Sequence, residues 1–298
     1  MTTNARLRAL VELAATGSVR AAAQRLVVTE SSVSSAISAL AAEIGVPLVD
    51  RDGRGVRLTP AGERYADYAR RILGLHAEAV TAARGEADPE HGTVRIAAVT
   101  TAGEHMLPAL LTSFRSRYPH VALGLEVGPR GVVWPMLAAH EVDLVVAGRP
   151  PDGLDARVRA VSPNTLVVVG PPALRDDFDP GHTTWLQRER GSGIRATAVS
   201  LLDTLDVAPP QLSLGSHGAV VAGAVAGLGV TLVSRQSVRR HLESGALVEL
   251  PVPGTPMQRA WHVVSQPTAT AATNLLVRHL LTHRDLGWRP ADRPAGDD

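Results

Sequence analysis

The fold is decided by residues 18–45, which read SVRAAAQRLVVTESSVSSAISALAAEIG. Ser18 and Thr29 are residue types that cap helix N-termini, and Gly45 is a residue type that ends helices. After Thr29, apolar side chains recur at steps of four, three and four, at Val33, Ile37, Leu40 and Ile44. The stretch therefore predicts two helices, Val19–Leu26 and Glu30–Ile44, joined by a very short turn, which is the helix-turn-helix arrangement.

The flanking residues extend this unit on both sides. A helix that ends at Gly17 is predicted before it, from apolar residues at helical spacing: Leu7, Leu10, Val11 and Ala14. After it, residues 49–59 indicate a hairpin whose tight turn is marked by Gly53 and Gly55. Three arginines lie in this hairpin, or wing: Arg51, Arg54 and Arg57. Residues 1–59 are therefore assigned to a winged helix-turn-helix domain.

A long helix is predicted next, from the capping pair Thr59-Pro60 to about Gly85. One stripe of this helix has heptad spacing and contains Tyr65, Ala69, Ile72, His76, Ala79 and Ala83. Such a stripe favours pairing with a second copy of the chain; the alternative is an ordinary amphipathic helix packed on its own domain. The stretch Glu86–Gly92 is polar, which is typical of a linker. Residues 60–88 are therefore assigned to a dimerising linker helix and hinge.

From Thr93 onward, short apolar runs alternate with helical segments, which predicts an α/β domain with mainly parallel sheets over 89–298. The predicted strands are Val94–Val99, Val121–Val127, Val142–Ala147, Leu166–Val169, Gln211–Leu214, Val230–Val233 and Arg259–Val264. The predicted helices are Met106–Tyr118, Val132–Ala139, Ala196–Leu205, Gly218–Ala226, Gln236–Ser244 and Leu275–Leu281, and a polar tail is expected at Asp285–Asp298. A span of this length forms one domain or two lobes.

Composition removes several classes of protein. The chain has 298 residues, which fits about two domains, and no cysteine, so disulfides, thiolate metal sites and cysteine nucleophiles are excluded. Aromatic residues make up 3 %, which argues against stacking of single-stranded bases. The N-terminus lacks the apolar core of a signal peptide, and the longest apolar stretch, Ala219–Leu232, is too short to span a bilayer. A cytoplasmic protein without membrane contact is expected.

The formal net charge of +1 argues at first against a nucleic-acid binder, but the charge is unevenly distributed. Residues 1–84 contain 11 Arg against 8 Asp and Glu, a net +3. The other 214 residues contain 19 Arg against 21 Asp and Glu, a net −2. The N-terminal part thus has the sign expected of a module that faces DNA.

The second helix of a helix-turn-helix enters the major groove of DNA with its N-terminal residues at base edges. The candidate DNA-binding residues are Ser18, Arg20, Thr29, Glu30, Ser31, Ser34, Ser35, Ser38, Arg51, Arg54 and Arg57. No basic residue occurs between Leu26 and Arg51, so bidentate arginine readout of guanine from this helix is excluded. Affinity must then depend on hydroxyls and on arginine contacts to phosphate. For any one of these residues, a helix cap or a solvated surface side chain is the alternative.

Nearly all of residues 1–62 resembles the LysR-type transcriptional regulators in order and spacing. The matching segments include Ala15–Val19, Ala21–Leu26, Ser32–Leu40, Glu43–Leu48 and Gly53–Gly62. The resemblance implies a winged helix-turn-helix, a dimerising linker helix, frequent assembly as a tetramer, and a two-lobed domain related to periplasmic binding proteins that binds a small metabolite. It divides 89–298 into one lobe at about 92–161 and 265–298 and another at about 162–264.

Two departures from the family pattern lie in the second helix. Glu30-Ser31 stands where the family usually has Gln-Pro, and hydroxyls stand near Ser35 and Ser38 where it usually has Arg or Lys. We therefore expect an atypical or weak operator. A looser resemblance, through Glu126–Gly128, Val133-Trp134 and His140–Leu144, is to regulators of carbon-fixation operons. It implies a phosphorylated metabolite or a nicotinamide nucleotide as effector.

The residues also predict where an effector binds, since ligands of α/β sheets lie at the carboxyl ends of strands. Thr100-Thr101 and Ser216-His217 each follow a predicted strand and precede a helix, and Arg195 adds charge. The full set of candidates is Thr100, Thr101, Gly148, Arg149, Arg195, Ser216, His217 and Thr231. They predict a small anionic ligand; the alternative is that Thr100, Ser192 and Ser216 only cap helices.

Other classes of function receive less support. Residues 191–196 match G-x-G-x-x-A, but Trp185–Arg190 is polar and predicts no preceding strand, so a dinucleotide site is not assigned. Hydrolase, zinc-protease and P-loop motifs do not occur, and the 11 His are scattered. No cofactor, metal or catalytic residue is predicted. The alternative function is a solute-binding or enzymatic domain fused to a helix-turn-helix that has lost specific DNA binding.

Overall fold

The computed structural model describes residues 2–52, 55–283 and 287–291. The N-terminal domain has three helices followed by an antiparallel hairpin. They are α1 (Asn4–Thr16), α2 (Val19–Leu26), α3 (Glu30–Ile44), β1 (Val49–Asp52) and β2 (Gly55–Leu58). The predicted winged helix-turn-helix is confirmed, although the tip of the wing, Gly53 and Arg54, lies outside the described residues.

Caps explain why these helices end where they do. Ser18 and Thr29 accept hydrogen bonds from the amides of Ala21 and Ser32, at 3.4 and 3.2 Å. Helices α1 and α3 end at glycines in the left-handed region, Gly17 with φ 64° and Gly45 with φ 83°. Helix α2 ends in the same conformation at Val27, with φ 55° and ψ 47°. A β-branched residue there costs about 1–2 kcal/mol.

Helix α4 (Pro60–Ala87) begins at Thr59, whose hydroxyl accepts from the amide of Gly62 and donates to the carbonyl of Pro47, both at 2.9 Å. Its first half packs on the N-terminal domain. The apolar stripe predicted from the sequence is therefore divided. Its members Tyr65 and Ala69 pack on that domain, whereas Tyr68, Ile72, Leu75 and Ala79 are among the exposed apolar residues of α4.

The middle of α4 lies against the following domain, a contact that the sequence did not predict. A Cβ added to Gly74 would lie 2.1 Å from the carbonyl oxygen of Ala139, so the two backbones touch. One turn later, the Glu78 carboxylate bonds Nδ1 of His140 at 2.5 Å. His140 itself is in the left-handed region with φ 57°. Glycine at position 74 thus permits the contact.

Lobe I is a six-stranded sheet of order β14-β6-β13-β5-β3-β4 with helices on both faces. Its strands are β3 (Thr93–Val99), β4 (Ala122–Gly128), β5 (Leu144–Ala147), β6 (Arg157–Ser162), β13 (Trp261–Ser265) and β14 (Arg289–Pro290). Helices α5 (Thr100–His105), α6 (Leu107–Arg117) and α11 (Ala271–Thr282) share one core, and α7 (Arg130–Ala138) packs in a separate core. A 3₁₀ turn, Pro89–His91, connects α4 to β3.

Lobe II is inserted between β6 and β13. Its main sheet has the order β10-β7-β11, with β12 also on β7, and β8 pairs with β9. The strands are β7 (Thr165–Gly170), β8 (Trp185–Gln187), β9 (Gln211–Ser213), β10 (Thr231–Ser234), β11 (Val248–Glu249) and β12 (Met257–Gln258). The helices are α8 (Gly193–Thr204), α9 (His217–Val225) and α10 (Arg239–Glu243), with 3₁₀ turns at Pro172–Leu174 and Arg235–Val238.

The prediction of mainly parallel sheets was wrong. Among the described strands, only β3 with β4, β3 with β5, and β8 with β9 form parallel ladders. The other ladders are antiparallel, because β13 returns to lobe I in the opposite direction and β7 is flanked by later strands that all run against it. The return occurs at Trp261, a few residues before the predicted crossing at 265.

Several short elements differ from the sequence prediction. Strands β6 and β8 and helix α5 were not predicted, and Gln236–Ser244 is a 3₁₀ turn followed by α10 rather than one helix. Part of the expected tail is ordered: Trp288 is buried and Arg289–Pro290 pairs with β6. Residues 292–298 of that tail lie outside the described residues.

Candidate DNA-binding surface and effector cleft

The surface of α3 that faces solvent carries hydroxyls and one carboxylate. Its exposed residues include Glu30, Ser31, Ser34, Ser35 and Ser38, whereas Val33, Ile37 and Leu40 are buried in the domain core. The same periodicity that builds the core therefore places every predicted side chain of this helix on the outer face. The sequence of this face offers hydrogen-bond donors and acceptors but no positive charge.

The hydroxyls at the start of α3 bond to one another. Thr29 Oγ1 lies 2.9 Å from Ser31 Oγ and 2.8 Å from Ser32 Oγ, in addition to capping the helix. Ser18 caps α2 in the same way and is half-buried. These side chains are held in place before any ligand arrives, which lowers the entropy lost when they bind.

Positive charge near this face comes from the arginines outside α3. Arg20 on α2 and Arg57 on β2 are exposed. Arg25 is tied to Glu12 at 3.4 Å. The backbone of Arg51 lies in β1, and Arg54 lies outside the described residues. Arg20 and Arg57 are thus exposed cations outside α3, and arginine is a residue type that contacts phosphate.

A cleft of about 320 Å³ opens between the two lobes. On the lobe I side it is lined where β3, β4 and β5 end, by Thr100, Thr101, Gly128, Gly148 and Arg149. Lobe II adds residues around the first turn of α8 and before β7: Asn164, Arg188, Glu189, Ser192, Gly193 and Thr197. The segment that returns to lobe I forms a third wall, with Gln258, Arg259 and His262. The carboxyl ends of parallel strands thus form one wall, as predicted.

Positive charge dominates the lining. Four arginines, Arg130, Arg149, Arg188 and Arg259, face a single acidic residue, Glu189. Arg188 is buried and forms a bidentate pair with Glu189 at 2.7 and 2.8 Å, which lowers the pKa of that carboxyl. The other three arginines are uncompensated by acids of the lining, and the nearest carboxylate to Arg149 is the exposed Asp152 at 4.0 Å. The cleft is therefore suited to an anion.

Two further groups in the cleft are polar but neutral. Burial holds the pKa of His262 below its ordinary value, and the nearby Arg149 adds to that shift. Asn164 donates to the carbonyl of Arg259 at 3.0 Å, and Arg259 donates to the Thr197 hydroxyl at 2.9 Å. This network fixes the orientation of the Arg259 guanidinium toward the lining.

Half of the predicted effector-binding residues line this cleft, namely Thr100, Thr101, Gly148 and Arg149. The other four lie outside its lining and have partners or packing within the protein. Arg195 donates to the carbonyl of Arg188 and to Ser213, Ser216 caps α9, and Thr231 donates to the carbonyl of Leu186. His217 is buried against the ring of His105, with centroids 5.0 Å apart.

Two family models match the chain and cover both domains. Residues 5–63 match the bacterial regulatory helix-turn-helix proteins of the LysR family, and residues 87–285 match the LysR substrate-binding domain. The chain belongs to the LysR family. It is a DNA-binding transcription regulator with an effector-binding domain.

Relatives of this LysR regulator agree with the looser resemblance noted from the sequence. CfxR of Cupriavidus necator is 32% identical over 93% of this chain and 90% of the relative. CbbR of Rhodospirillum rubrum is 35% identical over 82% and 83%, and the RuBisCO operon transcriptional regulator of Acidithiobacillus ferrooxidans is 32% identical over 82% and 81%. The predicted resemblance to regulators of carbon-fixation operons is confirmed, and these relatives are named as regulators rather than enzymes.

Solved structures share the fold of this regulator. Full-length CbnR complexed with its target DNA superposes with a TM-score of 0.64 at 20% identity, covering 94% of this chain and 99% of that one. The regulatory domain of CcmR from Synechocystis PCC6803 in complex with 2-PG superposes with a TM-score of 0.57 at 24% identity, covering 64% and 96%. Both halves of the LysR architecture are therefore present here.

Three arginines of the cleft were not predicted from the sequence, namely Arg130, Arg188 and Arg259. Arg130 follows Gly128-Pro129 at the end of β4, so the strand-end rule already pointed to it. Arg188 follows β8, which was not predicted because Trp185–Arg190 looked polar, although Trp185, Leu186 and Gln187 are all buried. Arg259 lies in the returning segment just before β13, where only the three-dimensional crossing of the chain brings it to the cleft.

The same missed strand affects the G-x-G-x-x-A match. A strand does precede Gly191, contrary to the prediction, because β8 ends at Gln187. Ser192 and Gly193 of this segment line the cleft between the lobes.

Ser113 bonds His279 and His283, at 2.9 and 2.8 Å, but all three lie outside that cleft. Within the described ranges, neither a group of three or more metal-binding side chains nor a helix able to cross a membrane is found.

Proposed function

We propose that this regulator is controlled by a small anionic metabolite that binds in the cleft between its lobes. The observation that carries the proposal is the lining: four arginines against one glutamate, with the hydroxyls of Thr100 and Thr101 opposite Ser192. Charge-assisted hydrogen bonds from guanidinium groups to phosphate or carboxylate are about twice as strong as neutral ones. The 2-PG bound by the regulatory domain of CcmR supports a ligand of this chemistry.

The test is calorimetric titration of the full chain with 2-PG and a panel of small phosphorylated carboxylates. For the ligand that binds in this titration, Thr100→Ala and Arg149→Ala are each expected to raise the Kd about ten-fold. Each substitution removes a hydrogen bond to a charged group. Ser216→Ala is the matched control, since Ser216 was also a predicted contact but lies outside the lining. Unchanged affinity in both cleft variants would overturn the assignment.

For the DNA-binding surface we propose the residues predicted from the sequence. The hydroxyls of Thr29, Ser31, Ser34, Ser35 and Ser38, together with Glu30, would meet the major groove, while Arg20, the wing arginines and the helix cap Ser18 would hold the backbone. Such an interface takes its cationic phosphate contacts only from residues outside α3. Its affinity should therefore fall less steeply with salt than that of regulators that also carry cations on the recognition helix.

We also propose that the chain works as a dimer through α4 and assembles further to a tetramer. The exposed face of Tyr68, Ile72, Leu75 and Ala79 supports this, because half-exposed apolar side chains at heptad spacing favour a partner helix. Residues 1–59 would then be the DNA-binding domain, 60–88 the dimerising linker, and 89–298 the effector-binding domain. A regulator of this kind would act in the cytoplasm, where bacterial DNA lies.

A further inference from the structure

Helix α2 ends on a residue type that does not suit the conformation. The first three helices all end in the left-handed region, and α1 and α3 use glycine there, as Gly17 and Gly45. Helix α2 uses Val27, whose amide bonds the carbonyls of Ala23 and Gln24 and so fixes the strained backbone. Among the described residues, only His140 and Asp206 share a positive φ without being glycine.

No side-chain hydrogen bond offsets the strain at Val27, because valine carries no polar side-chain atom. His140 gains a hydrogen bond to Glu78, and aspartate is a residue type that tolerates this region. Val27, in contrast, is 89 % exposed, the largest exposed fraction among the large apolar side chains described. Strained backbone conformations cluster at functional sites, so strain at an exposed position motivates a search for a contact made in a complex.

The location of Val27 identifies the partner. Val28, which is 48 % exposed, and Thr29, the N-cap of α3, follow it directly. The start of α3 is the part of a helix-turn-helix that enters the major groove. There thymine presents a methyl group, which apolar side chains recognise. On a face without basic residues, apolar contact is a remaining source of base discrimination.

We propose that Val27 makes an apolar contact with DNA beside the recognition helix, and that the group it contacts is a thymine methyl of the operator. Val28 extends the same apolar surface. The inference rests on the DNA binding of this family and adds a residue that determines base preference. The strained conformation aims the Val27 side chain away from the domain core, where a glycine or asparagine would offer no comparable apolar surface.

The experiment uses a duplex that the full-length wild-type chain enriches from a randomised pool. Each thymine of the enriched half-site is replaced in turn by deoxyuridine, which lacks only the methyl. Wild-type affinity is expected to fall about four-fold at one position, from the loss of one buried methyl. Val27→Asn and Val27→Gly should bind the thymine duplex several-fold more weakly and be insensitive to deoxyuridine at that position.

Two controls separate contact from folding. Val27→Asn should unfold at a higher temperature than the wild type, because asparagine relieves the strain, so weaker binding cannot be ascribed to misfolding. Val46→Asn changes another exposed valine of the same domain and should alter neither affinity nor the deoxyuridine response. Undiminished affinity in both Val27 variants overturns the contact. If the Val27 variants bind more weakly but respond to deoxyuridine as the wild type does, the thymine assignment is overturned. If no sequence is enriched from the pool, specific DNA binding itself is overturned.

Discussion

At the scale of single residues, His217 was predicted to contact the effector, but it is buried and bears on the stability of the fold instead. It opens α9, is 3 % exposed, and its Nδ1 has no hydrogen-bond partner among the described residues. Burial, with help from His105 and Arg188, lowers its pKa from 6.5 to about 4. The folded protein therefore holds this imidazole neutral over a range in which the unfolded chain would protonate it.

The expected consequence is acid destabilisation. Between pH 6.5 and 4 the unfolded state binds more protons at His217 than the folded state, so the free energy of unfolding falls as the pH is lowered. The full effect is on the order of 3 kcal/mol. His217→Asn removes this titration and should flatten the dependence, measured by urea unfolding at pH 7, 6 and 5. If the free energy of unfolding changes with pH equally in the two proteins, His217 is not held neutral.

The same scale shows which site residues could be predicted. Thr100, Thr101, Gly148 and Arg149 line the cleft because they follow buried strands, a relation that apolar runs reveal. Arg259 reaches the cleft only because the chain returns from lobe II to lobe I at that point. No local pattern encodes that return, since it depends on contacts between segments about one hundred residues apart.

At the scale of elements, the contact of α4 with lobe I depends on one glycine. Gly→Ala inside a helix normally stabilises by about 0.5–1 kcal/mol. At Gly74 the added methyl would lie 2.1 Å from the Ala139 carbonyl oxygen, so Gly74→Ala is expected to separate α4 from the end of α7. Hydrogen exchange of the amides of Ala139 and His140, which bond within that helix end, should then increase.

The matched control is Gly218→Ala in α9, where an added Cβ meets nothing within 4 Å. This variant should be more stable than the wild type, by the ordinary gain in helix propensity. If Gly74→Ala lowers the free energy of unfolding while Gly218→Ala raises it, the close approach at Gly74 is established. Equal stabilisation of both variants would show that α4 and lobe I do not touch there.

Elements also differ in how well the sequence specifies them. The bounds of α2 and α3 were predicted correctly because Ser18, Thr29 and Gly45 act locally, through hydrogen bonds within a few residues. Strand β8 has three residues and pairs with β9 across 26 positions. Its burial and its direction are set by partners distant in sequence, and the polar residues that follow it obscured the apolar pair Trp185 and Leu186. Short strands between helices are therefore the elements that a single sequence predicts least well.

At the scale of the whole molecule, the position of α4 connects the two functions. The helix packs on the DNA-binding domain near its start, touches lobe I at Gly74 and Glu78, and leaves Tyr68, Ile72 and Leu75 about half exposed. Lobe I and the DNA-binding domain are therefore connected through contacts with a single helix. In a dimer, the same helix would set the distance between two recognition helices, and with it the operator half-site spacing.

This arrangement predicts that loss of the dimer and loss of tight DNA binding occur together. Ile72→Asp with Leu75→Asp places two charges on the exposed apolar face and should yield a monomer by light scattering, because each charge would be buried without a partner in a helix pair. Its affinity for an operator with two half-sites should fall by 10²-fold or more, to about that for one half-site, since the second contact is no longer linked to the first. Val199→Asp, on an α8 side chain that is 37 % exposed, should keep both the assembly and the affinity. A monomeric wild type would overturn the dimer itself, and a charged variant that still dimerises would place the contact between subunits on another surface.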